Sequence, residues 1–386
     1  MPDLVRVPFG DRTLTASAPR VCTLEAARLP PAPPPAALIA DALDHPVAGP
    51  ALSDRVRAGD RVTIIISDAT RDEPRAAFLA ALRARLPSVR LTVAIATGTH
   101  GRAGGLGALG VDPSQYADAA IVDHDGHDDT DLVETGVTRR GTPVRVHRAV
   151  VETDLVIATG VIRPHYFAGF GAGAKAIFPG LAQARAARIN HRWKESPAAR
   201  PGATAGNPCR EDLDEAAALV GARQFLLDGV ADGHGTFRAA VAGDLPATFA
   251  RGVERARPWV TVSAPPSACV VVADDGPVTG SLYQASKCVA AVAPLLADGG
   301  TIVLVAPCAH GIGPLDTVNE GIYRIGLAPR LPRAHRIVLV STLPRATVEP
   351  SYATWAPDLA TAIAGADDVL VVPHASKLVI QPAAAP

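Results

Sequence analysis

Short runs of apolar, mostly β-branched residues recur along the first part of the chain, and a helical pattern separates them. The runs are RVTIIIS at 61–67, LTVAIAT at 91–97, AAIVDH at 119–124 and DLVIATG at 154–160. A helical stretch is predicted near 74–86. Runs without polar alternation are typical of strands buried on both faces of a parallel sheet. The pattern therefore predicts an α/β fold.

A second series of the same kind begins near residue 266. Its runs are ACVVVADD at 268–275, TIVLVAP at 301–307, RIVLVS at 336–341 and DVLVVP at 368–373, with a helix predicted around 281–297. Weaker strands and a helix near 211–221 fill the stretch between the two series, and a Pro-rich connector lies at 30–36. We predict two α/β domains with mainly parallel sheets, residues 1–264 and 265–386, and an active-site cleft between them. The last residues could pack back on the first domain.

The composition narrows the class of protein. Of 386 residues, 48% are hydrophobic and 19% are charged, which favours a packed globular core over disorder. The formal net charge of −1 gives no electrostatic case for binding nucleic acid or an anionic membrane. Five scattered cysteines without CxxC spacing indicate a reducing compartment, and the segment MPDLVRVPFGDRTLTA lacks an apolar signal core. We expect a cytoplasmic protein with no membrane span.

Polar residues follow three of the predicted strands. The first run leads into Asp68-Ala69-Thr70-Arg71, the second into Gly98-Thr99-His100, and the fourth into Arg163-Pro164-His165. Ligands of open α/β sheets bind beyond the carboxyl ends of the strands. Two histidines and an arginine able to bind a carboxylate at one sheet edge indicate a site.

The segment HYFAGFGAGAKAIFPG at 165–180 concentrates the unusual chemistry. Its glycines permit tight turns and close approach to a ligand. Lys175 is one of only four lysines beside 33 arginines, and in an apolar stretch its amine would lose its proton easily. The segment is neither a P-loop nor a dinucleotide fingerprint. A structural glycine-rich loop with a snorkelling lysine is an equal alternative from the residues alone.

His191 follows Lys175 by 16 residues, after the helical stretch LAQARAARI. A histidine at the end of a helix is usually a cap or a surface residue. Near His100, His165 and Lys175 it becomes a candidate metal ligand.

These residues carry a resemblance to a known family. The motifs SDATR, GTH, RPHYFAGFGAGAK followed by PG, then NH and LYQASK occur in an order that resembles the nickel-dependent lactate racemase family over nearly the whole chain. The HYFAG loop with its lysine, followed by the later histidine, is its most specific part. Ala172 and Ala174 depart from the pattern, since related loops often carry Gly or a larger residue there.

The resemblance implies a cofactor and a role for each matching residue. The cofactor is a nickel-pincer nucleotide, a pyridinium mononucleotide with sulfur substituents, joined to Lys175 through a thioamide. His191 would be the metal ligand, and His100 and His165 the two acid/base residues. The other implied positions are cofactor contacts at Asp68, Ala69, Thr70, Arg71 and Pro179, and substrate contacts at Arg71, Tyr283, Gln284 and Lys287.

The implied reaction is racemisation or epimerisation of a 2-hydroxy acid, lactate or a relative of it. Reversible hydride transfer avoids a carbanion, and a base on each side of the carbon explains two histidines. The implied partners are the small substrate and cofactor-synthesis enzymes, and an oligomer is allowed. Two alternatives stay open, a zinc-dependent hydrolase using His100, His165 and His191, and a hydroxy-acid- or nucleotide-binding protein without turnover.

Several other sequence features are expected to contribute less to catalysis or ligand binding. DHDGHDDTD at 123–131 is interpreted as a solvated loop, and GRAGGLGALG at 101–110 as a loop entering a short helix. Lys194 and Lys377 are interpreted as surface residues. APCAHGIG at 306–313 is expected to serve backbone geometry.

Overall fold

A computed structural model describes residues 2–383, and within them the chain forms twenty β-strands and nine α-helices. The strands are β1 Asp3–Phe9, β2 Arg12–Ala18, β3 Arg20–Thr23, β4 Arg61–Ser67, β5 Arg90–Ala96, β6 Ala120–Asp123, β7 Leu132–Val137, β8 Pro143–His147, β9 Leu155–Ile162, β10 Pro164–His165, β11 Gly169–Phe170, β12 Arg223–Ala231, β13 Phe237–Asp244, β14 Thr261–Ala264, β15 Ser267–Ala273, β16 Leu296–Val305, β17 Arg336–Val340, β18 Thr354–Ala356, β19 Asp368–Val372 and β20 Val379–Pro382. The helices are α1 Pro35–Asp44, α2 Arg75–Arg83, α3 Gly105–Ala108, α4 Ala184–Arg192, α5 Pro208–Ala218, α6 Leu245–Val260, α7 Leu282–Val292, α8 Arg345–Val348 and α9 Leu359–Ala362.

Six strands form the first sheet, in the order β13-β12-β9-β4-β5-β6. Neighbours are parallel except β12 and β13, which pair antiparallel. Successive side chains of β4 point to opposite faces, so Ile65 packs in one core and Ile64 and Ile66 pack in another. Helices α5 and α6 cover the first face, and α1 and α2 cover the second. Burial on both faces explains the unbroken apolar runs.

The second sheet has the strand order β18-β17-β16-β15-β19-β3, and all its pairs are parallel. Helix α7 packs on one face, and the hairpin of β1 and β2 packs on the other. The predicted α/β class with mainly parallel sheets is confirmed. The division into 1–264 and 265–386 remains a proposal.

The N-terminal strands depart from that proposed division. Strand β3 pairs with β19, and side chains of β1 and β2 pack against the second sheet. Residues 3–23 therefore belong with the second sheet, although the range 1–264 assigned them to the first domain. Near the other end, β20 pairs with β14, and Val379 packs in a core of the first sheet. No local sequence pattern predicts these strand pairings, because they join residues more than a hundred positions apart.

Two element boundaries also differ from expectation. The helix predicted at 281–297 ends at Val292, and a 3₁₀ turn, Ala293–Leu295, follows it. Pro294 in this turn has no backbone N–H to continue the α-helical hydrogen bonds. The stretch 195–265 contains α6, a helix of 16 residues that no motif indicated. Strand β12 in the same stretch is almost wholly buried.

The register of the first sheet places the candidate residues together. Strands β4 and β5 run side by side with Ile66 opposite Ile95, and β9 lies on the other side of β4. The carboxyl ends of all three therefore open at one edge. Asp68, His100 and His165 leave the sheet at this edge.

Candidate active site

Asp68 organises the loop that follows β4. Its carboxylate accepts hydrogen bonds from the Thr70 backbone N–H at 3.0 Å, from the Thr70 hydroxyl and from Nδ1 of His100 at 2.7 Å. Burial would raise the pKa of Asp68, but the hydrogen bonds from His100 and Thr70 outweigh it and hold the pKa below its ordinary value. Asp68 is therefore an anion that orients His100. Ala69 is exposed beside it.

Arg75 fixes the backbone of this loop, a role that no motif predicted. It is buried at the start of α2 and donates to the carbonyl oxygen of Ser67 at 2.7 Å and to those of Asp68 and Arg71. Arg163 donates to the Asp72 carbonyl oxygen at 2.6 Å. Of the three arginines around the loop, Arg71 is the one left to face a ligand, since among the described residues its guanidinium hydrogen-bonds only to the neighbouring Thr70.

The two candidate acid/base histidines have opposite hydrogen-bonding roles. Since Asp68 is ionised, Nδ1 of His100 donates to it, and Nε2 of the neutral ring keeps its lone pair. Nδ1 of His165 accepts the backbone N–H of Ala168 at 3.2 Å, so the neutral ring carries its proton on Nε2. Burial, and then the charges of Lys175, Lys287 and Arg71, lower the pKa of His165 well below its ordinary value. In these neutral forms, Nε2 of His100 can accept a proton, and Nε2–H of His165 can donate a hydrogen bond.

The glycine-rich loop after His165 has a backbone that requires small residues. Gly173 has φ +63°, and a Cβ there would lie 2.6 Å from the ring of Phe249. Ala172 has φ +66°, a positive value that ordinarily favours glycine. The Gly180 carbonyl oxygen accepts the Gly98 backbone N–H at 2.9 Å, which joins this loop to the one carrying His100. Pro179 is buried at that junction.

Lys175 lies in a 3₁₀ turn, Gly173–Ala176, within this loop. Burial, and then the charge of Arg71, lower the pKa of Lys175 to about 7. No carboxylate forms an ion pair with it among residues 2–383. At neutral pH a large share of the amine is therefore unprotonated and nucleophilic.

Asp228 supports the same turn from β12 and was missed by the sequence. Its side chain is fully buried, and its Oδ2 accepts the backbone N–H of Gly173 at 2.9 Å. Its Oδ1 has no partner within the described residues. Burial raises the pKa of Asp228 well above its ordinary value. A lone aspartate in a buried strand carries no signal that a motif search could find.

His191 lies on α4 with its imidazole close to the loop. The ring of the buried Phe167 lies between the two histidines, with centroids 4.6 Å from His165 and 4.7 Å from His191. Burial, and then the charges of Lys175 and Lys194, lower the pKa of His191 to about 3. Its Nδ1 is buried and has no hydrogen-bond partner within residues 2–383. A neutral imidazole with a free lone pair is what a metal ion requires.

Tyr283, Gln284 and Lys287 come from the other half of the chain. Ser281 caps α7 by accepting the backbone N–H of Gln284. Gln284 and Lys287 are three residues apart and therefore lie on one face of the helix, where Lys287 donates to the Gln284 amide oxygen. Burial, and then the charges of Arg71 and Lys175, lower the pKa of Lys287 to about 7. Burial raises the pKa of Tyr283, which Arg71 partly offsets. These effects require Tyr283 and Lys287 to lie near Arg71, and Lys287 to lie near Lys175.

The remaining sequence features lie elsewhere. In 123–131, Asp123 accepts the backbone N–H groups of residues 103–105, and Asp128 closes a turn on Thr130, as expected of a capped, solvated loop. Lys194 and Lys377 are half-buried, so their interpretation as surface residues is wrong.

A metal centre made of histidines alone finds no support. In the described part of the chain, the group with metal-ligand spacing is Asp274, Asp275 and His374, and Lys377 forms ion pairs with both of its carboxylates. His100, His165 and His191 do not form such a group, which disfavours the zinc-dependent hydrolase.

Comparison with known proteins identifies the family of the chain. Residues 9–202, half of the chain, match the family model for the lactate racemase N-terminal domain. The chain belongs to the lactate racemase family. It is thus an enzyme of the isomerase class.

Two curated relatives support the assignment. This family member is 31% identical to the lactate racemase of Thermoanaerobacterium thermosaccharolyticum over 74% of the chain and 68% of the relative. It is 29% identical to that of Lactiplantibacillus plantarum over 73% and 67%.

The solved structures establish the fold. The lactate racemase apoprotein from T. thermosaccharolyticum superposes with a TM-score of 0.86 at 24% identity, covering 98% of this chain and 100% of that one. A Thermotoga maritima protein gives a TM-score of 0.68 at 16% identity, covering 92% and 100%. Within residues 2–383 no helix is long and apolar enough to cross a membrane.

Proposed function

We propose that this family member interconverts the enantiomers of a 2-hydroxy acid, lactate or a related acid, in a cleft between the two proposed domains. Both curated relatives are named for lactate. The observation that supports the proposal is that the charges of Lys175, Lys287 and Arg71 each lower the pKa of His165, an effect that requires them to lie near its ring. We therefore assign groups from both halves of the chain to one site.

The proposed cofactor is the nickel-pincer nucleotide implied by the family. Two features of this chain fit it. Lys175 offers a buried amine with a pKa of about 7, suited to a covalent thioamide bond that arginine could not form. His191 offers a neutral ring whose Nδ1 lacks a partner, suited to a nickel ligand. We propose that the cofactor also contacts the Asp68–Arg71 loop and Pro179.

The proposed mechanism assigns proton transfer to the histidines. When bound, the cofactor would supply a hydride acceptor and donor for the carbinol carbon. Nε2 of His100 takes the substrate hydroxyl proton in one direction, and Asp68 stabilises the imidazolium that forms. His165 is the proposed acid/base residue for the opposite enantiomer. There it would accept the hydroxyl proton as a neutral ring and return the same proton to the same oxygen when hydride returns to the carbon.

Substrate binding is assigned to the cations and to α7. Arg71 can bind a carboxylate through two N–H groups, and an anion beside Lys287 would favour the charged form of its amine. Tyr283 and Gln284 lie next to Lys287 on the same helix and are proposed to contact the substrate.

Mass spectrometry tests the cofactor assignment directly. The chain is produced together with cofactor-synthesis enzymes, and its intact mass and nickel content are measured. We expect an adduct and nickel in the wild type and neither in Lys175→Arg, while Lys377→Arg, which keeps a cation beside Asp274 and Asp275, retains both. Unmodified, nickel-free protein that racemises 2-hydroxy acids in a chiral assay would refute the proposal.

A further inference from the structure

Arg330 makes an unusual set of contacts between the two halves of the chain. It ends a 3₁₀ turn, Ala328–Arg330, that follows a π-helical segment, Thr317–Leu327, beside the second sheet. Its guanidinium donates to the carbonyl oxygens of Lys194 at 2.8 Å, of Tyr166 at 3.4 Å and of Ala199. No carboxylate pairs with it among the described residues. A guanidinium has a fixed fork of donors, so it can hold several acceptors in one geometry.

The three acceptors belong to the two segments that carry candidate site residues. Tyr166 follows His165 directly. Lys194 and Ala199 lie in the segment after α4, which ends one residue beyond His191. A single side chain from the second half thus links the backbone next to one histidine with the backbone after the other.

The surroundings of Arg330 reinforce this link. The side chain of Lys194 lies against Gly321 and Gly326 of the π-helical segment, where a Cβ would come within 3.9 Å and 3.8 Å of it. The ring of Tyr166 packs against the cores of both sheets. π-Helical turns often occur at functional sites. The segments that contain Tyr166 and Lys194 therefore pack against the second half of the chain, and Arg330 lies within this interface.

We propose that Arg330 is a positioning residue that clasps the His165 and His191 segments against the second half of the chain. The roles of these histidines rest on the proposed function, but the clasp itself does not. Without the guanidinium, three carbonyl oxygens lose a charged donor, and both segments gain freedom to move away from α7.

Hydrogen exchange of the cofactor-free chain tests the clasp independently of activity. In Arg330→Gln, we expect the backbone amides of Ala168, Ser196 and Ala199 to exchange about tenfold faster or more, with no change in β4. Arg333→Gln, an exposed arginine in the same connection, is the control and should match the wild type.

Three results would overturn the proposal. These are unchanged exchange in both segments, faster exchange in only one of them, and an equal acceleration throughout the sheets. If Arg330→Gln does not fold, Arg330→Lys is measured in the same way, because it keeps the charge but loses the fork. In cofactor-loaded protein, Arg330→Lys should lower kcat by about tenfold with little change in KM. If Arg330→Gln speeds exchange in both segments but the cofactor-loaded wild type has no racemase activity, the proposed function is refuted and the positioning role of Arg330 is supported.

Discussion

Nδ1 of His100 lies 2.7 Å from a carboxylate oxygen of Asp68, although 32 positions separate the two residues in the sequence. The pairing arises because β4 and β5 are adjacent and parallel, so their carboxyl ends deliver both loops to one edge. It fixes which nitrogen of His100 is free for a proton. Asp68 is thereby a positioning residue for His100 as well as part of the proposed cofactor loop.

Replacing Asp68 with asparagine should therefore impair catalysis more than folding. Asp68→Asn removes the negative charge that stabilises the protonated ring, and we expect kcat/KM for the 2-hydroxy acid to fall by about 10²–10⁴-fold. The chiral assay on cofactor-loaded protein measures this. Asp72→Asn, an exposed neighbour, is the matched control and should retain full activity. An Asp68→Asn enzyme with wild-type kinetics would contradict the role assigned to the pair.

The two lysines of the site should titrate near neutral pH. Burial lowers the pKa of Lys175 and of Lys287 to about 7, far below the ordinary value near 10.4. With only four lysines in the chain, NMR of ¹³C-labelled lysine side chains can follow each one. Two signals should shift with midpoints close to pH 7, and Lys175→Arg and Lys287→Arg should each remove one of them. Midpoints above pH 9 for both would show that the amines are charged at neutral pH.

The parts of the fold that local patterns predict are the buried parallel strands. RVTIIIS coincides with β4, and DLVIATG overlaps β9 from Leu155 onward, because burial on both faces leaves an unbroken apolar run. The same reasoning placed Asp68, His100 and His165 at one sheet edge. The pairing of β3 with β19 was not predictable in this way, since a strand of four residues carries little pattern and its partner lies far along the chain.

The site residues missed by the sequence act through the backbone. Arg75, Asp228 and Arg330 each bind main-chain groups of a loop that carries a more conspicuous residue. Their side-chain types are common, and their partners become neighbours only through the tertiary fold. Lys175 stands out in the sequence because lysine is scarce in this chain and because it lies in a glycine-rich, apolar segment. Both are features of sequence and not of geometry.

Removing Arg75 should destabilise the loop that carries Asp68. Arg75→Met fills similar space but leaves the carbonyl oxygens of Ser67, Asp68 and Arg71 without their donor, at a cost of about 2–4 kcal/mol. Urea denaturation and limited proteolysis within 67–74 measure the effect. Arg83→Met on the same helix removes an exposed ion pair with Asp118 and a cation–π contact with Tyr116, and it should cost about 1 kcal/mol. Equal losses in the two variants would refute a special role for Arg75.

Asp228 should make stability depend on pH in the direction opposite to most carboxylates. Its folded-state pKa lies well above the unfolded value of about 3.9, so the stability that its protonated form contributes is fully present below about pH 4 and is lost as pH rises towards the folded pKa. Asp228→Asn keeps an oxygen that accepts the Gly173 N–H and cannot ionise. The variant should match the wild type near pH 4 and exceed its free energy of unfolding near pH 8, as urea denaturation at the two pH values would show. Asp228→Leu, which leaves the Gly173 N–H unpaired, should be less stable than Asp228→Asn at both. A variant Asp228→Asn that is less stable than the wild type at pH 8 would mean that the carboxylate is ionised and stabilised by a partner, and the neutral form assigned to Asp228 would be wrong.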